Sequence, residues 1–226
     1  MGEFEEVIRS LADLAGEEIV DFRDEHHRWH LYQRVINSER ADLRDVLYQV
    51  IGWEEDDALA LTVVLHVLEQ VPEVERHAWV DRLRTSESHQ YASARSFDIG
   101  MLESILQGAV SENALQALQE RSDWLQLRLA RRSESADVLD ELANSGRTKR
   151  IKRLAAERLD KLELESILQG AVSENALQAL QERSDWLQLR LARRSESADV
   201  LDELANSGRT KRIKRLAAER LAKLES

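Results

Sequence analysis

The chain has 226 residues, 42% of them apolar and 33% charged, with one proline, no cysteine and a formal net charge of −11. Without cysteine there can be no disulfide, thiolate metal site, iron–sulfur cluster or cysteine nucleophile. No apolar run reaches the ~18 residues of a membrane span, and MGEFEEVIRS lacks the basic-then-apolar order of a secretory signal, so the expectation is a cytoplasmic protein without a membrane partner.

Few helix breakers and much Ala, Glu, Leu and Arg predict an all-α fold. Charge is spread unevenly. Residues 1–101 sum to −12 and hold all six histidines, whereas residues 102–226 sum to +1. The asymmetry separates an acidic N-terminal helical region, 1–97, from the rest of the chain.

In that first region Phe4, Val7, Ile8, Leu11 and Leu14 follow helical spacing up to Gly16. Glu17 to about Ile36 reads as a second helix, with Ile19, Phe22, His26, Trp29 and Ile36 on one face. A third follows Ser38, carrying Leu43, Val46, Leu47, Val50 and Ile51, with Gly52 just beyond. The acidic run Glu54, Glu55, Asp56 and Asp57 suits the start of a fourth, where the helix dipole favours anions. That helix is apolar nearly all round and is predicted to be central, with His66 buried in it; Val71-Pro72 ends it. A fifth runs from Glu73 to about Leu83. Residues 85–97 are rich in Ser, Thr and small residues without apolar periodicity, and read as a loop or linker.

The remainder is one stretch written twice. Leu102–Glu163 recurs 62 residues later as Leu164–Glu225, and the only difference is Asp160 against Ala222. Stacked repeats normally drift apart, so this identity marks a very recent duplication or an engineered one. The reading taken is an engineered doubling of a one-copy parent, with copy one at 98–163 and copy two at 164–226. Each copy should hold four or five short helices. Asp98, Ser111, Asp123 and Ser133 stand where side chains cap free amides, Gly108 and Gly146 mark helix ends, and the last helix starts near Thr148.

Within each copy, a leucine helix, a polar turn and a basic helix recur. The segment VLDELANSGRTKRIKRLAAERL, through Leu139, Leu142, Ala143, Ile151, Lys152, Arg153, Ala155 and Ala156, resembles HEAT-like and leucine-rich-variant repeats. The resemblance implies an α-solenoid: an N-terminal helical bundle followed by helix pairs in two copies. The junction sharpens this. From Thr148 to Gln169 there is neither glycine nor proline, which favours one helix about 33 Å long over a break near Asp160–Glu163 between ordinary consecutive repeats. On a helical wheel Ile151, Leu154, Ala155 and Leu162 point one way; Leu164, Ile167 and Leu168 point about 150° away. One shared helix would thus offer different faces to the two copies.

No enzyme motif appears, neither GxSxG nor a glycine-rich phosphate loop, so the chain reads as non-enzymatic, with no catalytic residue and no cofactor. The expected role is a non-catalytic scaffold for a protein or peptide partner, with self-association between the acidic first region and the basic repeats as a further route. The candidate binding residues are Arg147, Lys149, Arg150, Lys152 and Arg153, repeated as Arg209, Lys211, Arg212, Lys214 and Arg215. Basic charge at a helix start opposes the dipole, which invites a functional reason. Nucleic acid or phosphate is the alternative ligand of these clusters. Against it stand the near-neutral sum of the repeats and the scarcity of aromatic residues.

His26 and His30, one turn apart beside His27, raise a metal-dependent alternative. The reading preferred is a hydrogen-bonded core His26 flanked by solvated neighbours, with no metal. Trp124 and Trp186, at equivalent positions, are read as core rather than as partner anchors.

Overall fold

A computed structural model describes residues 2–18, 21–38, 40–169 and 180–224. Among the described residues there are thirteen α-helices, one short 3-10 turn and no strand. No described helix is long and apolar enough to cross a membrane. The chain forms two compact units, residues 1–103 and 104–226.

The first unit contains α1 (Glu3–Ala15), α2 (Glu25–Asn37), α3 (Ala41–Trp53), α4 (Asp57–Leu68), α5 (Glu73–Val80) and most of α6 (Ser86–Leu106). The α1 helix packs on α3, α2 on both α3 and α4, and α5 on α4. The core is made by Ile8, Leu11, Leu31, Tyr32, Leu47, Ile51, Val63, Val64 and Leu68. Helix α1 ends as expected at Gly16, whose φ of 70° lies in the left-handed region that favours glycine.

Several expectations for this unit are corrected. The second helix begins at Glu25, not Glu17, because Asp24 accepts hydrogen bonds from the His26 and His27 amides and so fixes the start. Ile19 lies outside the described residues. The inner face of α2 is Arg28, Leu31, Tyr32, Val35 and Ile36, and His26 is solvent-exposed. The shift has a cause. Arg28 takes an inner place because Glu54, expected at the start of the fourth helix, is buried and pairs with it at 2.9 Å. The Tyr32 hydroxyl donates to the same carboxylate at 2.8 Å. Gly52 lies inside α3, and Asp56 caps α4. His66 is exposed rather than buried, with Nδ1 at 2.8 Å from the Thr62 carbonyl.

Residues 86–97, read as linker, are helical. The buried positions Ser88, Ala92, Ile99 and Leu102 recur at helical spacing, but the first two are too small or polar to register as an apolar stripe. Thr85 caps the helix by accepting from the Ser88 amide at 3.2 Å. Asp98, expected to start a helix, is buried within this one.

The second unit holds α7 (Glu112–Leu118), α8 (Asp123–Arg132), α9 (Ala136–Ser145), α10 (Lys149–Leu168), the 3-10 turn Leu180–Glu182, α11 (Asp185–Arg194), α12 (Ala198–Ser207) and α13 (Lys211–Leu224). Residues 170–179, the copy-two counterparts of 108–117, lie outside the described residues. The caps of α8 and α9 are Ser122 and Ser135 instead of Asp123 and Ser133.

In copy one, α10 packs on both α8 and α9; in copy two, α13 packs on α11 and α12. Gly146 permits the tight turn into α10: a Cβ there would sit 2.5 Å from the Leu142 carbonyl oxygen and 2.8 Å from Ile151 Cγ2. The junction is one unbroken helix. Thr148 caps α10 at its start and Gln169 closes it. Ile151, Ala155 and Leu159 are buried on one sector, and Leu164 and Ile167 on another, within the core of copy two. The helix that ends copy one therefore begins copy two, and α10 packs on α11 as well.

Candidate functional site

Each copy is held by the same polar frame. Gln126 on α8 is fully buried; its amide nitrogen donates to the Leu118 carbonyl, and its oxygen accepts from the Arg147 amide at 2.9 Å. The Arg147 side chain then donates to the Arg121 carbonyl at 3.2 Å and pairs with Asp123 at 3.2 Å. These contacts bring the start of α10 beside the start of α8. Farther along, Arg158 donates to the Ser133 carbonyl at the other end of α8, at 3.3 Å. Joined at both starts and again where α8 ends beside the middle of α10, the two helices run parallel. Lys152 reaches the Asn144 carbonyl at 2.6 Å, so α9 runs against them. Copy two repeats the frame with Gln188, Arg209, Asp185, Arg220 and Lys214.

This frame divides the predicted basic clusters. Arg147 and Arg209 serve the fold, as do Lys152 and Lys214 through their carbonyl contacts. Arg153 and Arg215 pair with Glu157 and Glu219, each at 3.5 Å. Lys149, Arg150, Lys211 and Arg212 are exposed and have no ion-pair partner among the described residues. They alone of the ten carry neither an ion pair nor a carbonyl contact among the described residues.

Charge is also sorted by helix. In copy two, α13 carries six basic residues and one acidic, and α11 three arginines and one aspartate. The antiparallel α12 carries three carboxylates and no cation. One of these, Glu203, accepts from Ser207 and from Gln181, and these bonds hold its pKa below the ordinary carboxylate value. The near-neutral sum of the repeats thus conceals basic and acidic helices.

The tryptophans depart from their expected place. The inner positions of α11 belong to Leu187, Gln188, Leu191 and Ala192. Trp186 is 45% exposed, with the Arg190 guanidinium 5.5 Å from its ring centroid. Trp124 is half-buried, with Arg128 at 5.3 Å. Neither is core, because the buried glutamine claims the inner sector that an indole would need.

The junction carries its own polar pair. The Ser184 hydroxyl donates to Asp160, and Arg183 pairs with Glu163. Burial raises the Glu163 pKa above its ordinary value; it outweighs the attraction of Arg183, and the nearby Asp160 charge acts in the same direction.

The histidines do not converge. The His26 side chain is 80% exposed, with Nδ1 at 3.7 Å from Asp24 and 3.8 Å from Glu25. His30 is exposed as well. Among the described residues, no group of three or more His, Asp or Glu side chains is placed to hold a metal ion.

Sequence reasoning overlooked Gln126, Gln188 and Arg28, and gave Glu54 a helix-start role instead of its buried pairing. For the glutamines a signal exists: a polar residue between the leucines of DWLQLRLARR, on the sector that also carries an alanine. No family model, curated protein or solved structure matches the chain.

Proposed function

We propose that the chain is a non-catalytic helical-repeat scaffold, HEAT-like in arrangement, that holds a protein or peptide partner on its duplicated unit. The observation that carries this is the exposed Trp186 with Arg190 beside it, on a helix fixed from behind by a buried glutamine frame. Tryptophan and arginine on rigid elements are the residues in which interface energy concentrates. The repeated α8–α9–α10 and α11–α12–α13 units support the solenoid reading, since each is a parallel pair with an antiparallel helix packed on it. On this reading the parent carries one copy, and the second copy extends the surface.

The test is a selection of displayed random peptides on the immobilised chain, counter-selected on Trp186→Ala/Arg190→Ala. Enrichment of peptides that bind the unaltered chain and not the double variant is expected. Enrichment no greater than on an empty surface would overturn the scaffold reading.

A further inference from the structure

We propose that the edge formed by the starts of α11 and α13 docks an acidic peptide segment, anchored on Trp186 and held by Arg190, Lys211 and Arg212. This rests on the scaffold reading and narrows it to a partner chemistry.

Three observations lead there. First, the two helix starts are fixed together. Arg209 donates its amide to Gln188 at 2.9 Å, its guanidinium to the Arg183 carbonyl at 3.1 Å, and pairs with Asp185 at 3.4 Å. Trp186 follows Asp185, and Lys211 and Arg212 follow Arg209 by two and three residues. Trp186 and the two cations therefore stand on the adjoining first turns of a rigid frame.

Second, the charge at this edge is unbalanced. Asp185 is already engaged by Arg209, Glu219 by Arg215, and Glu203 by Ser207 and Gln181. Asp202 accepts from Asn206 at 3.2 Å. At the helix starts Asp185 is paired with Arg209, while Lys211 and Arg212 have no ion-pair partner among the described residues. An incoming carboxylate completes what the fold leaves unpaired.

Third, the apolar surface is small and local. Trp186 and the partly buried Leu189 stand three residues apart on α11, one helical turn. That suits one apolar side chain flanked by carboxylates. A nucleic-acid backbone is a poorer match, since tight phosphate tracking uses about 6–10 cations in line, and this edge offers Arg190, Lys211 and Arg212.

Copy one repeats the same residues as Trp124, Arg128, Lys149 and Arg150, with the indole less exposed, so copy two carries the stronger site.

The experiment is fluorescence anisotropy of the full chain with three labelled probes: a peptide alternating Glu and Leu, the same peptide with Gln for Glu, and a single-stranded oligonucleotide of equal charge. Saturable binding of the acidic peptide alone is expected. Trp186→Ala and Lys211→Glu/Arg212→Glu should each weaken it about tenfold, or roughly 1.4 kcal/mol, with the helical circular-dichroism signal unchanged. Equal binding of the Gln peptide, binding of the oligonucleotide without the peptide, or unaltered affinity in both variants would each overturn the proposal. Selection of neutral or basic peptides in the displayed library, with no affinity for the Glu–Leu peptide, would leave the scaffold reading standing and remove this one.

Discussion

The Ser184 hydroxyl donates to the Asp160 carboxylate and so ties the cap of α11 to the helix that ends copy one. Asp160 is also the one residue at which the copies differ. Asp98 stands four residues before Leu102, as Asp160 stands four before Leu164, the first residues of the two matching stretches. Asp160→Ala makes the copies identical and removes a hydrogen bond to a charged group. A loss of about 1–3 kcal/mol in urea unfolding is expected. Ala222→Asp, on an exposed position, should change stability by less than about 0.5 kcal/mol.

Gln188 is buried and serves three carbonyls and one amide, from the turn before α11 and the start of α13. Gln188→Met keeps the volume and strips these groups of their partner. Each buried group so stranded costs about 1–3 kcal/mol, so copy two should unfold before copy one. Amide hydrogen exchange read copy by copy checks this: faster exchange in α11–α13 is expected, with α8 and α9 little changed.

In the first unit, Glu54 is the hub. It accepts from Arg28 and from Tyr32, and burial first, then the Glu54 charge, pushes the Tyr32 hydroxyl far above the ordinary tyrosine pKa. Glu54→Ala leaves Arg28 buried without its counter-charge and should cost about 3–5 kcal/mol. Tyr32→Phe removes one hydroxyl and should cost nearer ~1 kcal/mol. Thermal or urea unfolding of the two variants tests the ranking, and equal costs would contradict it.

Glu163 gives a pH signature. Burial holds its folded pKa above the ordinary value, so the folded chain retains that proton to higher pH than the unfolded chain. Its contribution to stability is therefore present below the unfolded pKa and is lost as pH rises through the folded one. Glu163→Gln cannot ionise and lacks this dependence. Relative to the variant, the unaltered chain should gain stability on acidification from neutral pH into the carboxylate range. Carbon-detected NMR titration should show the Glu163 pKa falling in Asp160→Ala, because a neighbouring negative charge is gone.

The shared helix was legible because two kinds of signal agree over one span. No glycine or proline interrupts residues 148–169, and the two apolar sectors stay in helical phase within their halves. The α6 helix was not legible. Its buried face begins with Ser88 and Ala92, and periodicity methods weigh apolar size rather than smallness. At the site, the clusters at residues 147–153 and 209–215 were visible as charge, but their division was not. Which cations remain for a ligand depends on carbonyls and carboxylates brought near by folding, such as Asn144 for Lys152 and Asp123 for Arg147. Trp186 was read as core because apolar spacing alone admits it. Gln188 takes the inner sector instead, and a polar residue hides that choice from any hydrophobic pattern.

Helix α10 holds both copies in one fixed relation, and the frame of copy two is built onto its second half. The chain has no cysteine, so Lys149→Cys and Ser166→Cys, both at exposed positions, accept spin labels without background. Pulsed dipolar spectroscopy on this pair measures the helix directly. A continuous helix places the two backbones roughly 25 Å apart, at 1.5 Å rise per residue, with a single narrow distribution. A broad distribution, or a mean several ångströms shorter, would mean a break near residues 160–163 and would contradict the shared helix.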